Sequence, residues 1–347
     1  MPMSVTLSDV AKAAGVSLAT ASRALNGSAN RTVSEALRER VLAAAAMLDY
    51  FPNSHAQAIA RGQTTIVGLI LHDVADPYFS AIAAGVMREA DKYGLVVTMA
   101  TTHRDPHLEL EYVRMLRGQR ARAMVIAGSR FNDHDLHEEL SAELARYVAT
   151  GGRVAAISQH SLPVDTVQVQ NRAGARALAT ELLDRGHREF GILSGPRGLV
   201  TSSDRVRGFR EAVAARGEPL PRANLVRADF TRDGGYSAMC ELLDRGVGIT
   251  CVFAVNDVMA VGAMAALRDR GIDLPGQMAV AGFGYISTLR DVTPALTTVR
   301  LPLRSMGEQA LSLTMDEPSD HPRVVRVTGD VVIRESTPER ASVMTAI

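Results

Sequence analysis

Five residues near the N-terminus carry side chains that suit contact with a nucleic-acid duplex. Leu18, Ala19, Thr20, Ser22 and Arg23 are small or can form hydrogen bonds. An arginine fork can donate two hydrogen bonds to the edge of a guanine, and serine and threonine hydroxyls suit phosphate oxygens. The pattern indicates either a surface that reads DNA or, as the ordinary alternative, the solvated face of a short amphipathic helix.

A helix-turn-helix would position these side chains. In the stretch TLSDVAKAA, Thr6 can cap a helix, and Asp9 lies where the helix dipole favours negative charge. Gly15 interrupts the pattern, and Ser17 can cap a second helix, LATASRAL, which ends near Asn26. Two short helices around a turn that contains glycine have helix-turn-helix spacing, and in that motif the N-terminal end of the second helix enters the major groove.

A third helix is predicted from the helical repeat of apolar residues between Leu37 and Leu48, with Thr32 or Ser34 as its cap. Residues 1–62 carry six basic and four acidic side chains, and the whole chain has no formal net charge. So small and weakly basic a unit is expected to bind DNA weakly as a monomer. The sequence therefore favours a dimer.

Composition limits the remaining classes of protein. The 347 residues, of which 46% are hydrophobic and 22% charged, are enough for two or three compact units. Cys240 and Cys251 make no disulfide framework and lack metal-ligand spacing, which favours a reduced compartment. We predict a cytoplasmic protein without membrane association, because no leader pattern and no stretch of about 18 apolar residues is present.

Signals for catalysis or metal binding are weak. His134 and His137 share a helical face, as do His107 and Glu111, but such pairs without a zinc-hydrolase motif are usually solvated surface. The segment GILSGPRG lacks the lysine of a phosphate-binding loop, and no G-x-S-x-G elbow occurs. The sequence predicts no enzyme, no metal site and no cofactor.

After residue 63 the chain alternates between short apolar runs and helical patterns. The apolar runs are TIVGLIL, LVVTMA, AMVIAG, RVAAIS, FGILSG, CVFAV and MAVAGF. Alternation of this kind indicates parallel sheets flanked by helices. About ten strands exceed one comfortable sheet, so two α/β lobes are predicted.

The N-terminal stretch resembles the DNA-binding domain of the lactose-repressor (LacI/GalR) family. TLSDVAKAAGVSLATASRALNG and VSEALRERVLAAAAMLDYFPNSHAQAIARGQT match in order, in spacing and in a linker that contains Pro-Asn. The resemblance implies that Leu18, Ala19 and Arg23 face the bases. It also implies contacts with the DNA backbone, which would be made by Thr6, Ser17, Thr20, Ser22 and Asn26.

Residues 53–61, NSHAQAIAR, resemble the hinge helix of that family, which folds on operator DNA and inserts an apolar wedge into the minor groove. Ile59 occupies the wedge position, where the family usually has leucine. Asn53, His55 and Ala56 are the accompanying candidates for DNA contact. The alternative is a plain interdomain linker.

The remainder resembles the effector domain of the family in the segments DPYF, RGHREFGILSGP, SSDRVRGFREAV, NDVMAVGAMAALRDRGIDLP and TPALTTVRLPLRSMGEQAL. That domain is similar to type I periplasmic binding proteins, in which three crossovers join two lobes around a ligand. The predicted fold is thus an all-α helix-turn-helix DNA-binding domain, residues 1–62, followed by a two-lobed α/β periplasmic-binding-protein-like domain, residues 63–340. The lobes are predicted at 65–165 with 297–328 and at 166–296 with 329–335.

Loops that follow predicted strands supply candidates for effector binding, because ligands of open α/β sheets bind beyond the carboxyl ends of strands. Asp76, Tyr78 and Phe79 follow the first strand, and Asn256 and Asp257 follow CVFAV. For Asp257 the alternative is a helix cap, and for Phe79 it is core packing.

The resemblance adds two further candidates. Arg205 lies at the position of the effector-binding arginine of the family, and Phe230 matches an aromatic residue that often stacks on the effector ring. A surface ion pair is the alternative for Arg205, and core packing is the alternative for Phe230.

Three positions depart from the pattern. Gly284, Ser158 and Gln170 occur where family members often have acidic residues. Carboxylates suit sugar hydroxyls because they accept paired hydrogen bonds. The sequence therefore leaves open a neutral sugar, an anionic or different effector, and a degenerate pocket.

The sequence predicts a repressor that binds a palindromic operator in double-stranded DNA as a homodimer, with a sugar-like small-molecule effector in the cleft between the lobes. No tetramer is expected, because residues 336–347 carry no apolar heptads. The alternatives are a regulator that needs no effector, a solute-binding protein of a transporter, and an α/β enzyme with an appended regulatory domain.

Overall fold

The computed structural model describes residues 5–26, 33–50, 64–159, 161–218 and 220–340. The chain divides into two compact units, Met1–Thr64 and Thr65–Ile347, close to the predicted boundary after residue 62. Within the described residues, no helix is both long enough and apolar enough to cross a membrane.

The described part of the first unit contains helices α1 (Leu7–Ala13), α2 (Leu18–Asn26) and α3 (Glu35–Met47). Thr6 caps α1 as predicted, and Asp9 also bonds back to Thr6, so that the two residues form a reciprocal capping box. Buried Val10, Ala21 and Val41 bring the three helices into one small core. The sequence thus builds a helix-turn-helix that leaves the outer face of α2 exposed.

Twelve strands are present in the described part of the second unit. They are β1 (Ile66–Leu71), β2 (Val96–Thr101), β3 (Ala123–Ala127), β4 (Arg153–Ser158), β5 (Asp165–Val169), β6 (Phe190–Ser194), β7 (Leu225–Arg227), β8 (Cys251–Ala254), β9 (Ala279–Gly284), β10 (Thr297–Arg300), β11 (Val324–Val327) and β12 (Asp330–Val332). They form two six-stranded sheets, ordered β11-β5-β4-β3-β1-β2 and β12-β10-β9-β8-β6-β7. All neighbours pair in parallel except β10 and β12, which are antiparallel.

Helices flank both sheets. They are α4 (Pro77–Lys92), α5 (Pro106–Gly118), α6 (His134–Ala149), α7 (Asn171–Asp184), α8 (Val200–Ala215), α9 (Arg232–Asp244), α10 (Asp257–Asp269) and α11 (Leu303–Met315), with short 3₁₀ turns at Arg222–Asn224 and Ser287–Asp291. Strands β1, β3 and β6 are buried along almost their whole length because helices cover them. The predicted two-lobed α/β architecture is confirmed.

Two strands lie in the opposite lobe from the one predicted. Strand β5, at 165–169, pairs with β4 and β11 in the first sheet, and β10, at 297–300, pairs with β9 in the second. The boundaries predicted at 165/166 and 296/297 are therefore wrong by one strand each. The chain crosses after each of these strands rather than before it, and apolar periodicity marks a strand without marking its partner.

Glycines allow two helices of the second lobe to pack with their backbones in contact. A methyl group on Gly262 of α10 would lie 1.9 Å from the carbonyl oxygen of Arg232, and one on Gly235 of α9 would lie 2.2 Å from that of Met259. Neither neighbour is a flexible side-chain tip, so the helices would have to separate. This contact positions the N-terminus of α10, which carries Asn256 and Asp257.

Replacing Gly262 with alanine is expected to lower the free energy of unfolding by about 1–3 kcal/mol, because the added methyl overpacks a rigid backbone contact. Urea unfolding followed by circular dichroism measures the change. Gly118→Ala is the matched control, because no atom lies within 4 Å of a methyl at that helical position. An alanine there is expected to be neutral or to stabilise by up to about 1 kcal/mol. Equal stability of the two variants would contradict the packing account.

Candidate functional site

A cleft lies between the two sheets, and the space within its lining, open solvent included, is about 710 Å³. Its wall is formed by residues that follow the carboxyl ends of strands in both lobes, where open α/β sheets place their ligands. All seven predicted effector-binding residues line it, namely Asp76, Tyr78, Phe79, Arg205, Phe230, Asn256 and Asp257.

Arg205 of α8 is buried and fixed by the surrounding fold. Its Nε donates to Oδ1 of Asn171 at 2.8 Å and its Nη1 to the carbonyl oxygen of Val255 at 2.7 Å. The guanidinium carbon lies 3.9 Å from the centre of the Phe283 ring. Burial lowers the pKa of Arg205 to about 10, so the group stays charged at neutral pH. Arg205 is therefore not part of a surface ion pair, which was the alternative interpretation of this residue.

Asp257 holds a loop of its own lobe. Its carboxylate accepts hydrogen bonds from the backbone nitrogens of Tyr285 and Ile286 and, at 2.6 Å, from the hydroxyl of Thr298. The helix cap is instead Asn256, whose Oδ1 accepts from the nitrogen of Met259 at 2.8 Å. Burial raises the pKa of Asp257. This carboxylate therefore shapes the wall of the cleft through the loop that follows β9.

The first lobe contributes an acidic and aromatic group after β1. Asp76 caps α4 by accepting from the nitrogen of Tyr78 at 2.9 Å. Phe79 is buried and makes edge-to-face contacts with Tyr78, at 5.1 Å between ring centres, and with His72, at 5.6 Å. Phe79 thus belongs to the core as well as to the cleft wall, as its alternative reading proposed.

Sequence reasoning missed Arg104, which reaches the cleft from the loop after β2. Its Nη2 lies 3.8 Å from Oδ2 of Asp76 and donates to the carbonyl oxygen of Phe230 at 3.3 Å. His103 and Arg104 both adopt positive φ angles, 50° and 65°, which non-glycine residues rarely do. The rule that found Asp76 after β1 would also have found Arg104 after β2.

Sequence reasoning also missed His72, which is buried in the same wall. Its Nδ1 lies 3.1 Å from the hydroxyl of Thr102. Its Nε2 makes no hydrogen bond of acceptable geometry, although the ring interacts with the backbone of Ser129. Burial lowers the pKa of His72 to about 4, so the ring is neutral at neutral pH.

Hydrogen bonds join the two lobes along the rim. Nε2 of Gln159 donates to the hydroxyl of Thr201 at 2.8 Å, and the nitrogen of Thr201 donates to the hydroxyl of Ser129 at 3.0 Å. Phe131 and Leu199 form an antiparallel bridge beside them. The structure therefore shows the two lobes closed against each other at the rim of the cleft.

The three positions that lack the expected acidic residue differ from one another. Ser158 lines the cleft, but its hydroxyl accepts from Nε of Arg130 at 3.2 Å. Gln170 precedes α7 and bonds to Gln168 at 3.4 Å without lining the cleft. Gly284 has a φ of 139°, which disfavours any side chain there.

The residues predicted to contact DNA lie in the first unit. Ala19 and Leu18 are exposed, the latter by 54%, and Thr20, Ser22 and Arg23 are half-buried on α2. The hydroxyls of Thr6 and Ser17 cap α1 and α2. Asn53, His55, Ala56 and Ile59 lie outside the described residues, as does the side chain of Asn26.

No group of three or more potential metal ligands occurs in the described ranges.

Two family models match this chain. Residues 6–53 match the bacterial regulatory proteins of the lacI family, and residues 179–337 match a periplasmic binding protein-like domain. The transcriptional regulator GalR of Escherichia coli (strain K12) is 33% identical over 96% of each chain. The transcriptional regulator DegA of Bacillus subtilis (strain 168) is 31% identical over 88% of this chain and 89% of its own.

Solved structures agree with the fold. A lac repressor dimer bound to operator and the anti-inducer ONPF aligns with a TM-score of 0.80 and 25% identity. A complex of the transcriptional regulator CelR with cellobiose aligns with a TM-score of 0.69 and 29% identity. Each alignment covers 96% of this chain and 99% of the other. The predicted fold class is confirmed.

Acidification is expected to destabilise the protein partly through His72. Because its folded pKa is lower than that of an unfolded histidine, the unfolded state binds more protons between pH 6.5 and 4, and stability falls as the pH falls through that range. One such group contributes a slope of about 1 kcal/mol per pH unit near the middle of the range. His72→Gln is expected to flatten the pH dependence of the free energy of unfolding by that amount.

Urea unfolding at several pH values tests this expectation. His134→Gln, which removes a side chain exposed by 81%, should leave the slope of the parent protein unchanged. His187 is also buried, with a pKa lowered to about 4, and keeps its share of the pH dependence in both variants. Identical slopes for His72→Gln and the parent protein would show that His72 is not held neutral.

Proposed function

The chain belongs to the LacI family of bacterial regulatory proteins, and on that premise we propose that this transcriptional regulator is a repressor. It binds a palindromic operator as a homodimer, and a small molecule in the cleft between the lobes controls its affinity for DNA. The observation that carries this proposal is one chain with both an exposed recognition-helix face and an enclosed cleft that contains converging polar groups.

The geometry of α2 supports sequence-specific DNA binding. Its first residues, Leu18 and Ala19, are exposed and are not covered by neighbouring residues, so base edges in a major groove can approach them. Arg23 lies about one turn further along the helix, within the reach of a guanine contact. Ser17 and Thr20 pair with each other at 2.8 Å at the start of the helix, where phosphate groups bind readily.

Two features support a homodimer: the expected weakness of DNA binding by a single recognition helix, and an apolar sheet edge. Strand β2 is the outermost strand of its sheet, and Val96 and Met99 are exposed by 63% and 42% on it. Tyr93, just before the strand, is exposed by 44%. An edge strand offers unpaired backbone groups to another chain, and exposed apolar patches often mark protein–protein contacts. A second copy would cover it and pair two recognition helices on a two-fold operator.

The closed rim supports control of the protein by a small molecule. Few hydrogen bonds join the lobes there, so the free energy that separates closed from open lobes is expected to be small. A ligand that binds one arrangement better shifts the population by no more than its difference in affinity. The relative in complex with cellobiose supports a sugar-like ligand for this chain as well.

Selection from random duplex DNA with the full chain is expected to yield a two-fold symmetric consensus. Arg23→Ala should bind the selected duplex at least tenfold more weakly and lose preference at one base pair per half-site, since a bidentate contact discriminates by about 1–3 kcal/mol. Repeating the selection with the variant, and titrating the selected duplex at two salt concentrations, measures both effects.

Arg38→Ala is the charge-matched control, because Arg38 is exposed on α3 beside Glu35. It should keep the consensus, and any loss of affinity should be the same for all sequences. An unchanged consensus and affinity for Arg23→Ala would contradict the assignment of α2 as the reading helix. Sequence-blind binding by the parent chain would contradict the proposed function itself.

A further inference from the structure

The oxygen and nitrogen atoms of the cleft differ in how many hydrogen bonds they already make within the protein. Its side-chain oxygens mostly accept hydrogen bonds from the protein itself, whereas several of its nitrogens still have protons to donate. A ligand must match what remains, because polar groups buried without partners are costly. The balance of donors and acceptors therefore restricts the chemistry of the ligand.

The oxygens are largely occupied. Both carboxylate oxygens of Asp257 accept from its own lobe, and Oδ1 of Asn171 accepts from Arg205. Oε1 of Gln159 accepts from the nitrogen of Arg130 at 3.0 Å, and Oδ1 of Asn256 caps α10.

Of the carboxylate oxygens that line the cleft, Oδ2 of Asp76 is the one without a close hydrogen bond, and it faces Arg104 at 3.8 Å.

The nitrogens are less occupied. Arg205 uses Nε and Nη1 for the fold, and its Nη2 makes no hydrogen bond within the described residues. Arg104 makes one hydrogen bond, at 3.3 Å, through Nη2. The two guanidinium groups come from opposite lobes, and both interact electrostatically with Asp76. They supply strong donors from both sides of one cleft.

The N-termini of several helices add positive partial charge to the positive charge of the two arginines. Helices α4, α7, α8 and α10 all begin at the cleft, where Tyr78, Asn171, Thr201 and Asp257 lie in their first turns. A helix N-terminus carries partial positive charge. At α8, neither the capping residue, Leu199, nor any acidic residue in the first turn compensates for it.

Two further features leave room for an acidic ligand. Gly284, which follows the lining residue Phe283, has no side chain, and a methyl group there would lie 3.7 Å from the Tyr78 ring and 3.2 Å from the Asp257 carboxylate. His72, which is 95% buried, lines the same cleft, and its neutral ring interacts with the backbone of Ser129. Neither feature adds negative charge to the wall.

We propose that the ligand of this cleft is an anion, a small polyhydroxyl compound that carries a carboxylate or a phosphate. Its acidic group accepts hydrogen bonds from Arg104 and Arg205, and its hydroxyls meet Asp76 and His72. The proposal rests on the proposed function, because it specifies the effector of the regulator. It excludes a neutral sugar as the preferred ligand.

Matched pairs of compounds test the charge of the ligand directly. Thermal shift and then titration calorimetry on the full chain would compare common hexoses and pentoses with their aldonates, uronates and phosphate esters. At least one acid is expected to bind at least tenfold more tightly than its neutral parent. The aldonate and uronate arms against the phosphate arm then identify the acidic group.

Variants locate the contact. Arg104→Gln is expected to weaken binding of that acid at least tenfold and to change binding of the neutral parent much less. Arg88→Gln is the matched control, because Arg88 lies on α4 with its side chain exposed by 68% and pairs with Glu308. It should bind the acid as the parent protein does.

Two results would overturn the proposal. One is a neutral compound that binds as tightly as its acid or more tightly, and the other is the failure of every acid to bind. Either can occur while the chain still selects a two-fold DNA consensus, so the proposed function would survive. Conversely, an acid that binds to a chain without DNA specificity would support the cleft assignment and contradict the regulator.

Discussion

The buried guanidinium of Arg205 is the interaction on which the rest of the cleft depends. A charge removed from water costs several kcal/mol unless it is hydrogen-bonded and paired. Asn171 at the start of α7, the carbonyl of Val255 after β8 and the Phe283 ring on β9 share that task. Three elements of one lobe must therefore keep their relative positions for the arginine to remain buried, and the cleft wall keeps its shape as a consequence.

Rigidity within each lobe contrasts with the slight connection between them. The second lobe is held by backbone contacts at glycines and by the Asp257 carboxylate, whereas the rim is closed by single hydrogen bonds such as that between Gln159 and Thr201. Rigid bodies joined weakly can change their relative position at small cost. A ligand that binds both lobes, through Arg104 on one side and Arg205 on the other, is placed to shift that equilibrium.

Local signals in the sequence predicted local structure well. The Thr6 and Ser17 caps and the alternating strands and helices are predicted from local sequence alone, and the residues predicted to follow strand ends lie at one cleft. Features that depend on residues distant in sequence could not be predicted. The sheet to which β5 and β10 belong depends on partners distant in sequence, and the roles of Arg104 and Asp257 depend on which hydrogen bonds the fold has already used.

In the proposed function, occupation of the cleft controls binding to DNA. The most direct test measures the dissociation constant of the selected duplex with and without a saturating cleft ligand, and that of the ligand with and without saturating duplex. Both dissociation constants are expected to change by the same factor, of about 5-fold or more, because coupling between two sites is reciprocal. Unchanged affinity for the duplex at full occupation of the cleft would contradict it.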